Sequence, residues 1–364
     1  MRVQFLDVGQ GDCTLIAPPG NADLVMVDCK DGSVAWGWFD KHHTDRKLGA
    51  IVISHSDADH IAGLVEFLSN VPANRVRAPL HVYFNDNGKY VEGAAGRKGT
   101  TDQWQAILDF FRNWQAYKIT QHPALEGTTV ARGGEDDSSW SVKITAPSHE
   151  EHSMEVAKLN PSANAQSAVV EVSFAGIQVL VCGDAPAARI RPLGHGLKVI
   201  RAPHHGGAMD GERALNTLYS DARAELVTIS VGTPSVHHPS EIHLRAVRDA
   251  DSRVCCTQLD KRCQPVPSTL RQMRLSEPIW NDHDPLKARH VRKGSRAVEV
   301  PCAGTVLVRI YPDGSLYTAP ERENHGLWLD RLHSPFCRVA DARAAPATPA
   351  PPPQQALTEL IRAH

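Results

Sequence analysis

Four groups able to bind a metal ion, His55, Asp57, Asp59 and His60, crowd onto the single turn Ser54-His55-Ser56-Asp57-Ala58-Asp59-His60. One Asp or His at such a place caps a helix or faces water. Four at alternating and adjacent positions, on a turn leaving the apolar run Ala50-Ile51-Val52-Ile53, can converge on one point. Imidazole and carboxylate donors suit Zn²⁺ or Mn²⁺. Further along, Val179-Leu180-Val181-Cys182-Gly183-Asp184 reads as a strand that ends on a carboxylate. Asp184 there bridges two cations or merely caps the next helix. Val199-Ile200-Arg201-Ala202-Pro203-His204-His205-Gly206-Gly207 brings paired histidines to another strand end, with glycines that admit a close approach of backbone or substrate. Asp12 and Asp28 close two early strand–turn units, where they orient ligands or cap turns.

The elements that must hold these groups alternate. Residues 2–8, 13–17 and 24–28 read as strands separated by Gly-Gln-Gly-Asp and Pro-Pro-Gly-Asn turns, and 50–54 as a buried strand followed by an amphipathic helix over 61–70. Trp104, Ile107, Leu108, Phe111 and Trp114 predict a helix over 102–117. Val169–Phe174 and Ile177–Cys182 flank Ala175-Gly176 as a hairpin. Strands at 198–202, 225–231 and 253–258 then alternate with helices near 211–220 and 240–250. Two layers of sheet with helices outside fit this order. Residues 86–100 read as a polar surface loop, and the Ala/Pro-rich stretch from 341 as a flexible tail.

His-x-Asp-x-Asp-His, Gly-Asp and Pro-His-His-Gly, preceded by Leu6-Asp7-Val8-Gly9-Gln10-Gly11-Asp12, resemble in content and order the motifs of the metallo-β-lactamase superfamily. Within it, the chain resembles the branch of the ComEC competence-protein hydrolase domain. Asn164-Ala165-Gln166-Ser167-Ala168-Val169 is similar to that branch's Asn-x-x-Ser-x-Val stretch, where other branches place a metal-binding histidine. Ile229-Ser230-Val231-Gly232, then His237-His238-Pro239, resembles its late element. The resemblance implies an α/β fold, an αββα sandwich over residues 1–258; the rest reads as a C-terminal extension packed on it over 259–340 and the tail at 341–364. It implies two divalent ions, Mn²⁺ or Zn²⁺, the first held by His55 and Asp57 and the second by Asp59, His60 and His204, with Asp184 between them. Asn164 and Ser167 then support the ligands from behind. A metal-activated water would attack, with Asp59 central to holding that metal. His205 or His238 would protonate the leaving group, or serve instead as a support and a loop histidine. Asp57 stands where many members carry histidine, which makes the first site richer in oxygen and more tolerant of Mn²⁺.

The resemblance favours a DNA nuclease, on single or double strands. Lys287, Arg289, Arg292, Lys293 and Arg296 cluster and can track phosphates, or form a solvated basic loop. A hydrolase of a lactone, thioester or cyclic nucleotide is the competing reading, since one fold hosts many chemistries. A silent binding module is disfavoured because nearly every ligand position is filled. The net charge of −2 announces no global affinity for nucleic acid. The start of the chain lacks the pattern of a signal peptide, and no stretch nears the roughly 20 apolar residues of a membrane helix, so the cytoplasm is the expected address. A nuclease there calls for restraint by a partner protein or by proteolytic activation, which no residue specifies. Cys256, Cys263 and Cys302, with Cys255 or a histidine such as His283, form either a structural zinc site without the short Cys-x-x-Cys unit or reduced core thiols.

Overall fold

The structure is a computed structural model that describes residues 1–85, 98–114, 118–191, 196–232, 238–260, 262–263, 302–330, 332 and 335–338. The basic run 287–296, His237, His283 and the tail from 341 lie outside the described residues.

The first sheet contains β1 (Arg2–Phe5), β2 (Cys13–Ala17), β3 (Leu24–Cys29), β4 (Leu48–Val52), β5 (Val76–Tyr83), β6 (Ile119–His122), β14 (Val306–Ile310) and β15 (Leu316–Ala319). Its order is β15-β14-β1-β2-β3-β4-β5-β6, antiparallel up to β3 and parallel from there to β6. The second contains β7 (Thr129–Gly133), β8 (Trp140–Ala146), β9 (Val169–Phe174), β10 (Ile177–Val181), β11 (Leu197–Arg201), β12 (Leu226–Ile229) and β13 (Arg253–Cys256). These run β13-β12-β11-β10-β9-β8-β7, and β10 to β13 are parallel.

Both faces of each sheet are buried along its central strands, and the two-residue period of a strand sorts side chains between them. In β3, Val25 and Val27 join Val3, Phe5, Val179 and Val181 in the layer between the sheets, while Leu24 and Met26 face the other way. There they meet α1 (Gly32–His42), α3 (Leu64–Asn70) and α4 (Lys98–Asn113) through Trp38, Phe39, Phe67, Trp104 and Ile107. On the far side of the second sheet, Leu180, Ile200 and Val227 pack against Leu215, Leu218 and Tyr219 of α6 (Gly211–Ala222), Leu244 and Val247 of α7 (Glu241–Asp249) and Trp328 of α8 (Arg322–Leu329). The architecture is the expected αββα sandwich. The remaining helices are α2 (Ala58–Ile61), a single turn between β4 and α3, and α5 (His149–Val156), which starts with a Ser148/Glu151 capping box. No helix among the described residues is long and apolar enough to cross a membrane.

Of the extension expected from residue 259, residues 306–319 enter the first sheet itself, where β14 pairs with β1 in the register Val3↔Val308. The helix expected over 102–117 runs from 98 to 113, and the one expected over 61–70 splits into α2 and α3 at Ala62-Gly63.

Candidate metal centre

Parallel strands deliver their chemistry at their carboxyl ends, and here β3, β4, β10 and β11 end together. Asp28 is the next-to-last residue of β3, His55 follows β4, Asp184 follows β10, and His204 and His205 follow β11. Asp57 is the N-cap of α2 but its side chain does not cap the helix. The short helix then presents Asp59 and His60.

The groups meet around Asp184, which is buried. Its Oδ1 lies 3.1 Å from His60 Nε2 and 3.5 Å from His205 Nε2. Its Oδ2 lies 3.7 Å from His55 Nε2 and 3.7 Å from His204 Nε2. On the first side, Asp59 Oδ2 is 3.2 Å from His205 Nε2, and the two Nε2 atoms of His60 and His205 are 3.3 Å apart. On the second, Asp57 Oδ2 stands 3.8 Å from His55 Nε2.

Each inward imidazole is braced behind. His60 Nδ1 lies 2.7 Å from Asp28 Oδ2, and Asp28 in turn accepts the Ser54 amide and hydroxyl, each at 2.7 Å. His205 Nδ1 lies 3.6 Å from Asp12 Oδ1, an oxygen that also accepts Nε and Nη2 of the wholly buried Arg201, at 3.1 and 2.7 Å. A carboxylate behind Nδ1 fixes the tautomer that leaves the Nε2 lone pair facing inward. Two glycines make these approaches possible. A Cβ on Gly11 would stand 2.3 Å from the Asp59 carbonyl, and one on Gly183 would stand 2.7 Å from Ser54 Cβ.

The charge balance matches the geometry. Burial disfavours ionisation of Asp184, but His60 and His205 outweigh it and hold the carboxyl well below the usual range. Burial likewise opposes a charged His205, yet Asp184, Asp12 and Asp59 push its pKa up to about 10. Burial, helped by His60, lowers that of His55.

The sequence model of the metallo-beta-lactamase superfamily matches residues 6–228 of this chain. The chain belongs to that superfamily. Solved structures with this fold include the metallo-beta-lactamase fold protein YhfI from Bacillus subtilis, at 12% identity and a TM-score of 0.42 over 70% of this chain and 96% of that one. They also include the metallo hydrolase Igni18 from the archaeon Ignicoccus hospitalis, at 13% identity and 0.40 over 70% and 95%. A diphosphatase from the PhnP family is similar at 10% identity and 0.36, over 71% and 79%. Comparison with curated proteins yields no match.

A metallo-β-lactamase hydrolase carries divalent metal, and the residues present fit one. The buried His55 Nε2 has no hydrogen-bond partner and points at carboxylates. The donor atoms of His55, His60 and Asp184 all lie within 4.8 Å of one another, as do those of Asp12, His60 and His205. Three imidazoles (His55, His60, His205) and three carboxylates (Asp57, Asp59, Asp184) form a mixed nitrogen and oxygen donor set of the kind that divalent ions take.

His55, Asp57, Asp59, His60 and Asp184 are therefore together. The paired histidines, expected as one ligand and one acid or support, both lie beside Asp184. His205, expected as an acid or a support, lies in the cluster beside Asp59 and His60, and His204 lies on the Oδ2 side with its side chain 26% exposed. The cause is local: both residues have left-handed backbone, φ 49° and 50°, which turns consecutive side chains in directions that no strand or helix period anticipates. His238 stands at the same mouth, its ring centroid 5.0 Å from that of His204 and 6.3 Å from that of His205. Ser167 Oγ accepts the Asp184 amide at 3.3 Å. Asn164 instead donates to Met209 Sδ at 3.7 Å. Ser54 and Arg201 escaped the sequence reading. Arg201 carried a usable signal, a charged side chain ending the apolar strand Val199-Ile200, because such a residue is buried only with a partner.

Proposed function

We propose that this metallo-β-lactamase hydrolase cleaves phosphodiester bonds of DNA with two divalent cations, Mn²⁺ or Zn²⁺. The observation that supports it is the sharing of Asp184, whose Oδ1 faces His60 and His205 while its Oδ2 faces His55 and His204. One carboxylate open on both sides suits a pair of cations. Such a pair, when bound, generates a nucleophile from water near neutral pH and neutralises charge on phosphoryl oxygens during an in-line displacement. The chain's own groups do the rest. Asp28 and Asp12 hold the imidazoles of His60 and His205 with Nε2 inward. His204 and His238, at the mouth, are within reach of a leaving oxygen and can protonate it. Support for DNA over a small molecule comes from the similarity to the ComEC branch and from the basic run 287–296.

The test is incubation of circular single-stranded DNA and supercoiled plasmid with Mn²⁺, Zn²⁺ or Mg²⁺, comparing wild type with Asp59→Ala. Metal-dependent opening of the circles, lost in the variant, is the expected result. Intact circles under all three metals, from folded and metal-loaded protein that hydrolyses a lactone, thioester or cyclic nucleotide, would overturn it.

A further inference from the structure

The late cysteines converge from four separate stretches of chain. Cys256 ends β13, Cys263 lies beyond the following turn, Cys302 leads into β14, and Cys337 follows α8. All four are buried, none is in a disulfide, and they share one packed cluster with Trp328, Leu329 and Leu332. Backbone hydrogen bonds hold the stretches in pairs. The Ala303 amide donates to the Cys256 carbonyl at 2.8 Å and the Cys302 amide to the Thr257 carbonyl at 2.9 Å, which lays Cys302 beside Cys256. The Phe336 amide donates to Cys263 Sγ at 3.3 Å, which brings the following residue, Cys337, to Cys263.

Packing alone asks for apolar volume there, which Leu or Val supplies as well as sulfur. It does not ask for four thiols at one place. The amide N–H directed at Cys263 Sγ favours its thiolate, but burial outweighs it and holds that thiol above its ordinary pKa. Thiolates gathered in an apolar surround repel one another unless a cation lies among them. Burial, together with Cys337, Cys302 and Cys263 nearby, raises the Cys256 thiol pKa well above its ordinary value. His325 braces the group from one side, with Nδ1 3.6 Å from Cys255 Sγ and Nε2 3.8 Å from Cys302 Sγ.

We propose that Cys256, Cys263, Cys302 and Cys337 hold one structural zinc ion as four thiolates. This adds Cys337 to the three cysteines marked by the sequence and stands apart from the hydrolytic centre. A closed four-cysteine zinc site has Zn–S distances of about 2.3 Å, and its formation releases a proton from each thiol. No three of these sulfurs lie within 4.8 Å of one another as the groups around Asp184 do, so rotation of the cysteine side chains accompanies ligation. Cys263 and Cys302 bracket the chain segment that carries Lys287 to Arg296. An ion holding both cysteines fixes the two ends of that segment, and its binding offsets the entropy lost in closing it.

The test uses the full chain and a His55→Ala/Asp184→Asn variant that cripples the hydrolytic centre. Metal analysis should find one tightly held zinc per chain in that variant, and addition of Cys263→Ser or Cys337→Ser should remove it. To keep the test independent of whether cysteine variants fold, the same double variant is also exchanged with Co²⁺. A tetrahedral thiolate site gives an intense sulfur-to-cobalt charge-transfer band that needs no cysteine substitution to be read. A double variant without zinc, zinc retained by folded Cys263→Ser protein, or a cobalt form lacking that band would each overturn the proposal.

Discussion

At the scale of single residues, the centre rests on which of two adjacent histidines turns inward. His204, His205 and Gly206 all have positive φ, and three bonds hold them there: His204 N to Gly183 O at 2.9 Å, Gly207 N to His204 O at 2.7 Å and Ser240 N to Gly206 O at 2.8 Å. A non-glycine residue in this conformation costs about 1–2 kcal/mol, so the turn persists only because its surroundings fix it. The expected outcome is asymmetric. His205→Ala should cost metal affinity by more than the roughly 10–100-fold of losing an outer partner, whereas His204→Ala should keep its metal and lose turnover. Metal content and kcat, measured on both variants, decide it, and the reverse pattern would return the ligand role to His204. A second prediction concerns Arg201, fully buried on Asp12, whose carboxyl it holds far below the ordinary range. Arg201→Met leaves that charge buried without its cation and should destabilise the protein by about 3–5 kcal/mol. Urea unfolding reads this, and Asp12→Asn added to Arg201→Met should recover part of the loss. The ligand turn 54–60 was legible because its donors are contiguous in sequence. Behind His205, Asp12 stood out as a residue that could orient a ligand, but its partner Arg201 did not, since the two meet only when the sheets stack.

Elements were legible where a strand is buried on both faces over a short apolar run, as in Leu24–Val27 of β3, Ala50–Val52 of β4, Val179–Val181 of β10 and Val199-Ile200 of β11. They were illegible at the sheet margins. β5 has the exposed stretch Arg77-Ala78-Pro79 inside it, and β6 and β7 are partly exposed throughout, so their composition resembles that of loops. A further contact between elements makes a pH prediction. His43 closes the C-terminus of α1 and ties it to the sheet, its Nε2 2.8 Å from Gln4 Oε1 of β1. Burial, reinforced by Arg2, Arg46, His42 and Arg75, pushes its pKa down to about 3. The folded state thus holds this imidazole neutral while the unfolded chain protonates it near pH 6.5. Its contribution is present above that pH and is lost as pH falls toward 3. Between pH 7 and pH 5 the loss is about 2 kcal/mol. His43→Gln should flatten the dependence of the urea midpoint on pH across this window, and an unchanged slope would show that His43 titrates alike in both states.

At the scale of the whole molecule, the centre depends on chain that lies far beyond its last ligand. β14 covers the edge of β1, and Val306, Val308 and Ile310 pack with Val3 and Phe5 between the sheets. The Asp7 amide donates to Thr305 Oγ1 at 3.1 Å, while Asp7 Oδ1 accepts Gln258 Nε2 at 2.9 Å. Asp7 begins the loop that ends at Asp12, the carboxylate behind His205. The C-terminal strands therefore help position an imidazole of the centre through the N-terminal loop. Ending the chain at residue 258 removes Val306, Val308 and Ile310 from the layer between the sheets, each worth about 1.5–3 kcal/mol, takes Trp328 from the outer core and bares an apolar strand edge. That sum is comparable with the whole stability of an ordinary domain, about 5–15 kcal/mol. A chain of residues 1–258 is expected to lack a cooperative unfolding transition and to exchange the amides of β1 rapidly. Near-ultraviolet circular dichroism and hydrogen exchange measure both. If the shortened chain instead unfolds cooperatively, with β1 protected and metal still bound, residue 258 closes an independent domain and the later strands only decorate it.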